Sequence, residues 1–160
     1  MTLSVGTRAP LFTLKQKTDK GLQDIALADT LGKKNILLLF VPFAFTGVCT
    51  EELCSATQGL DSYESLGAAV YAISVDSPFA QEAWAKQNNI KVPLLSDFNK
   101  KVASAYYVLY EDFLGFQGVA KRAAFVINRE GIISYAWASE DPKHVPDFQA
   151  IESHLADIMS

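Results

Sequence analysis

Between Asn35 and Cys54 the chain reads NILLLFVPFAFTGVCTEELC, and this stretch limits the fold more than any other. Its first part, Ile36–Val41, is continuously apolar, which suits a strand buried on both faces. Pro42 has no N–H to give to a sheet ladder, so the strand ends there. Beyond a short loop, Leu53, Ala56, Leu60, Tyr63 and Leu66 recur at spacings of three and four. That pattern predicts one amphipathic helix with a buried stripe. A buried strand feeding a helix begins a crossover, and a crossover demands a parallel partner.

Partners for the first strand follow along the chain. Ala69–Val75 and Val92–Ser96 are short apolar runs bounded by turn residues, and Ala123–Asn128 and Ile132–Ala138 flank the turn sequence NREG. A second helix is expected over Pro78–Asn88, with Ser77 as its cap and Pro78 in its first turn. A last helix is expected over Pro146–Ile158. The first forty residues read as an extra strand or hairpin with a short helix, and the segment after Ser96 as long and irregular. The order gives an α/β fold with a mixed central sheet flanked by helices. At 160 residues one domain over the whole chain, 1–160, is enough.

Composition narrows the function classes. A net charge of -4 with no block of Lys and Arg argues against nucleic-acid binding. Ile36–Val41 is the longest apolar run and is far too short to span a membrane, so no membrane partner is expected. The opening MTLSVGTRAP lacks the basic and apolar regions of a signal peptide. Two cysteines do not make a disulfide framework, and a core of this size does not need one. A soluble protein of a reducing, cytoplasmic compartment is expected, with thiols kept for chemistry.

Cys49 falls where the first strand hands over to its helix, the place where sites gather in open sheets. Unpaired N–H groups and the positive end of the helix dipole favour negative charge on sulfur there. Thr46, three residues earlier, is in position to set a hydroxyl beside it, and Pro42 helps exclude water. A small buried hydrophobe is the ordinary fate of a free cysteine, but the helix start favours the chemical reading.

Pro42, Thr46 and Cys49 match the Pro-x-x-x-(Thr/Ser)-x-x-Cys signature of the peroxiredoxins, and the surrounding FTGVCTEE resembles the same family. The likeness extends from VGTRAPLFTL (Val5–Leu14) through PLLSDFNKKVASAYYV (Pro93–Val108) to KRAAFVINREGII (Lys121–Ile133). The resemblance implies a thioredoxin fold with an N-terminal extension. It also implies a cysteine peroxidase that uses neither metal nor haem and acts on hydrogen peroxide and organic hydroperoxides. Carried over by position, Cys49 is the peroxidatic cysteine, Thr46 bonds the sulfur and the peroxide, and Pro42 shields the site. Arg122 stabilises the negative charge, and Glu52 orients Arg122. Without the motif, Arg122 reads as a surface cation and Glu52 as a first-turn acid.

Cys54 bears on the subtype. CTEELC resembles the Q-type peroxiredoxins (the bacterioferritin-comigratory proteins), some of which place a resolving cysteine five positions on. FTGVC and EAWAKQNNIKVPLLSDF are similar to the E-type, one-cysteine alkyl hydroperoxide reductases. Spacing and thiol chemistry favour a resolving role for Cys54 over helix packing. The implied reductant is then thioredoxin or a glutaredoxin-like dithiol, and in the one-cysteine case an external thiol. A thiol–disulfide oxidoreductase normally shows Cys-x-x-Cys, and a hydrolase needs a histidine that neither His144 nor His154 supplies by position. The aromatic segment Ala105–Phe116 reads by itself as core, whereas the family resemblance implies a place near the site and near a face open to a second copy, a homodimer.

Overall fold

The computed structural model describes residues 2–159. Its centre is a seven-stranded mixed sheet in the order β2-β1-β5-β4-β3-β6-β7. β1 (Thr13–Thr18) and β2 (Gly21–Ala26) form the N-terminal hairpin, followed by a 3-10 turn at Leu27–Asp29. β3 (Asn35–Phe40), β4 (Ala68–Ser74) and β5 (Leu94–Ser96) run parallel. β6 (Arg122–Ile127) lies antiparallel to β3, and β7 (Ile133–Ser139) antiparallel to β6. The expected strands are all present within a residue or two of their anticipated ends, except that β5 is short. Pro93 precedes it and has no N–H, although its carbonyl still accepts from Ala72 at 2.9 Å.

The helices are α1 (Gly47–Gln58), α2 (Leu60–Ser65), α3 (Pro78–Asn88), α4 (Lys101–Ala105) and α5 (Phe148–Asp157). The single helix expected through Leu66 is two, interrupted at Gly59. A Cβ at Gly59 would lie 3.2 Å from the Tyr63 ring, so a larger residue there would require the ring to shift. The buried stripe nonetheless continues through both pieces, since Leu53, Ala56 and Tyr63 are all core residues. α3 has the expected ends, and the Ser77 side chain accepts from the N–H of Ala80. α5 starts two residues later than expected, after Asp147, whose side chain caps it by accepting from the N–H of Ala150. α4 lies in the segment expected to be irregular. It is too short to show a period, and the Asp97 carboxylate anchors it by accepting from the N–H groups of Val102 and Ala103.

Hydrophobic burial occupies both faces of the sheet. Leu37, Leu39 and Val41 pack with Leu53, Trp84 and Leu155 on the side of α1, α3 and α5. Ile36, Leu38 and Phe40 pack with Leu27, Val102 and Tyr106 on the other. This two-sided burial is why Ile36–Val41 shows no alternation in the sequence.

Candidate active site

The antiparallel register of β3 and β6 makes the site. Phe40 pairs with Ala123, so Arg122, the first residue of β6, lies level with the carboxyl end of β3. There the chain turns through Pro42 and enters α1, whose third residue is Cys49. Two residues 73 positions apart in sequence are thereby brought into contact, with Arg122 Nη2 donating to Cys49 Sγ at 3.2 Å. Both side chains are almost wholly buried. A fixed guanidinium in a dry site exerts far more on a neighbouring charge than the same group does in water.

The guanidinium is held from a second direction. Its Nε donates to the Pro142 carbonyl at 2.9 Å, which fixes the plane of the fork. Its Nη1 faces Glu52 Oε1 at 3.7 Å, too long for a hydrogen bond but close enough for charge interaction. Neither Glu52 oxygen has a hydrogen-bond partner. Burial pushes the Glu52 carboxyl up to about 8, against the opposing pull of Arg122. Burial thus weakens the hold of Glu52 on Arg122 and leaves more of the guanidinium charge for the sulfur.

Cys49 opens into a shallow pocket of about 240 Å³ whose wall includes Pro42, Thr46, Val48, Phe113 and Leu114. Its lining is mostly apolar, and Phe43 extends the rim by packing against Phe113 and Phe116. A larger groove of about 650 Å³ lies between Pro10–Lys15 and the starts of α3 and α4, and it contains no thiol.

The structure brings Cys49, Arg122, Glu52, Thr46 and Pro42 together and sets Cys54 apart. Pro42 is buried beside the sulfur, as a shield requires. Thr46 lines the pocket, but its hydroxyl donates back to the Phe43 carbonyl at 2.9 Å rather than to Cys49. The extended N-cap backbone at Thr46 turns the side chain toward the loop it closes. Cys54 is half-buried and its Sγ donates to the Asn88 carbonyl at 3.7 Å, on the side of α1 that faces α3. His144 and His154 bond Ser139 and Ser134, and neither contacts Cys49. Among the described residues no group of three or more His, Cys, Asp or Glu is placed to hold a metal, and no helix is long and apolar enough to cross a membrane. Sequence reasoning missed the Pro142 carbonyl, because a backbone acceptor leaves no trace in residue type.

The profile of the AhpC/TSA family matches residues 5–136. Alkyl hydroperoxide reductase E of Mycobacterium tuberculosis is 42% identical over 136 residues, covering 84% of this chain and 84% of that protein. The chain belongs to the AhpC/TSA family, the peroxiredoxins. A chloroplastic 2-cysteine peroxiredoxin of Chattonella marina is 36% identical over 143 residues, 85% of this chain and 71% of that one. Among solved structures, the reduced 2-Cys peroxiredoxin of Plasmodium vivax superposes with a TM-score of 0.85 at 30% identity, over 94% of this chain and 79% of that one. The thioredoxin-like α/β fold and the peroxidase class expected from the sequence thus both stand.

Proposed function

We propose that the protein reduces hydrogen peroxide and organic hydroperoxides at Cys49. The observation that carries this reading is the 3.2 Å contact from Arg122 to a buried sulfur at a helix start. The Cys49 thiolate attacks the terminal peroxide oxygen as the O–O bond breaks. The departing oxygen takes a proton and leaves as water or an alcohol, and the sulfur becomes a sulfenic acid. Negative charge is shared between sulfur and leaving oxygen in the transition state, and Arg122 is fixed where that charge lies. Thr46 and Pro42 confine the peroxide, and Glu52 backs the guanidinium. The apolar rim at Phe43, Phe113 and Leu114 suits the alkyl part of an organic hydroperoxide.

Cys54 then attacks the sulfenic sulfur, the hydroxyl leaves as water, and the resulting disulfide is reduced by thioredoxin or a similar dithiol. A second reading has an observation in its favour. The Cys54 thiol is engaged with Asn88 in the reduced protein, which suits a packing residue and an external thiol as reductant. A cytoplasmic setting and a homodimer complete the proposal. Exposed Leu114 and Phe116 beside the pocket fit the second.

Mass spectrometry after one equivalent of peroxide tests the scheme. A Cys49–Cys54 disulfide is expected in the wild type and a sulfenic acid on Cys49 in Cys54→Ser. Cys49→Ser should keep the fold and consume no peroxide, so activity in that variant ends the reading. A lasting sulfenic acid in the wild type assigns reduction to an outside thiol.

A further inference from the structure

The segment from Pro42 to Thr46 supplies the shield and the hydroxyl of the pocket, yet it belongs to no helix or strand. Its end is joined to α1, where the Thr46 carbonyl accepts from the N–H and Oγ1 of Thr50 at 3.0 and 2.8 Å, and its middle is tied to a different part of the protein. The N–H of Ala44 donates to Oδ2 of Asp76 at 2.8 Å. The next residue, Phe45, sits at φ 64 with its ring half exposed. A bulky side chain holds that left-handed conformation only when its surroundings fix it. The loop is therefore strained at Phe45 and moored beside it.

The mooring is itself braced. Ser74 Oγ donates to the same Asp76 oxygen at 2.7 Å, and Gln81 Nε2 donates to Ser74 Oγ at 2.9 Å. Gln81 also donates to the Leu95 carbonyl at 2.9 Å, and Ser96 Oγ donates to the Asp76 carbonyl at 2.7 Å. Ser74, Gln81 and Ser96 are all buried. Hydrogen bonds to a carboxylate are stronger than neutral ones. The cluster spans the carboxyl ends of β4 and β5 and the start of α3, and from there it reaches across to the loop leaving β3.

We propose that Asp76 is a positioning residue for peroxide reduction, acting through Ala44 to hold Pro42 and Thr46 against Cys49. This inference rests on the reading of Cys49 as the peroxidatic nucleophile. Asp76 does not touch the reacting atoms. Its role is to keep the pocket at the size in which a peroxide lies in line with the sulfur, and displacements of about 1 Å in such sites cost on the order of 100-fold in rate.

The test compares two reactions of the same sulfur. In Asp76→Ala the second-order rate of Cys49 oxidation by hydrogen peroxide, followed by stopped flow, should fall by about 10- to 100-fold. Alkylation of Cys49 by iodoacetamide, which needs no aligned peroxide, should not slow. Asp76→Asn keeps an oxygen that accepts from Ala44 and should recover most of the loss. Ser74→Ala leaves the tether but removes its brace, and should fall between. Wild-type peroxide rates in Asp76→Ala overturn the inference, as does an Asp76→Asn variant that falls equally far. Should Asp76→Ala fail to fold, Ser74→Ala decides by the same pair of rates: a selective loss with peroxide supports the role, and no loss overturns it. A wild-type protein that is alkylated at Cys49 but inert to peroxide removes the proposed function itself.

Discussion

Glu52 sits against Arg122 with no other polar contact, and its protonation couples stability to pH. Its carboxyl ionises near 4.5 when free and near 8 in the fold, because burial outweighs the attraction of Arg122. The folded state therefore holds a proton that the unfolded state releases between those values. The contribution of the neutral carboxyl is fully present below about pH 4.5 and is lost as pH rises to about 8, above which it no longer changes. Glu52→Gln has the shape of the neutral acid and no proton to lose. Denaturant titrations should show the two proteins nearly equal at about pH 4.5, with the variant gaining a few kcal/mol by about pH 8. A difference independent of pH would mean that Glu52 is ionised throughout. At this scale the sequence was informative where residue type and position are decisive, as for Cys49, whereas Arg122 was found only through the family motif. The sequence misled where geometry is decisive, as for the Thr46 hydroxyl, which is expected beside the sulfur and whose partner is instead set by a loop backbone.

On α1, Thr50, Cys54 and Thr57 stand at spacings of four and three and form one polar face toward α3. Trp84 Nε1 donates to Thr50 Oγ1 at 2.9 Å, Cys54 to the Asn88 carbonyl, and the N–H of Lys91 to Thr57 Oγ1 at 3.0 Å. On an intact helix, residues five apart have Cα atoms about 8 to 9 Å apart. A disulfide rarely spans more than about 7 Å, so joining Cys49 to Cys54 requires the first turns of α1 to open. Opening breaks the Trp84 and Asn88 contacts, and while they hold, the sulfenic acid stays exposed to a second peroxide and to sulfinic acid formation. Thr50→Val removes the acceptor that Trp84 uses. Amide exchange over residues 50–55 should then quicken, and disulfide formation should quicken relative to the peroxide step. Unchanged exchange in that variant would show that the contact does not restrain the helix. The apolar stripe of α1 was legible from its spacing, whereas the polar face was not. Thr50 and Thr57 lie off that stripe and acquire partners only when α3 is placed beside them, and α4 was too short to announce itself.

At the scale of the molecule, the site depends on a sheet that cannot be divided. β3 hydrogen-bonds to β4 on one side and β6 on the other, and its side chains alternate between the two hydrophobic layers. Leu37 and Leu38 are adjacent in sequence, fully buried, and on opposite faces. Loss of either layer would expose β3, and with β3 would go the register that sets Arg122 beside Cys49. The chain should therefore unfold in one transition, the same by far-UV circular dichroism and by tryptophan fluorescence. The comparison is informative because Trp84 and Trp137 both belong to the layer on the side of α1 and report on that layer alone. Leu37→Ala cuts into the reported layer and Leu38→Ala into the other, each at a cost of about 2–5 kcal/mol. If the layers fold together, Leu38→Ala must lower the fluorescence midpoint as far as it lowers the dichroism midpoint, although no tryptophan packs in its layer. A Leu38→Ala protein whose fluorescence midpoint stays at the wild-type value would show two independent units, and Arg122 and Cys49 would then be held together by the α1 layer alone.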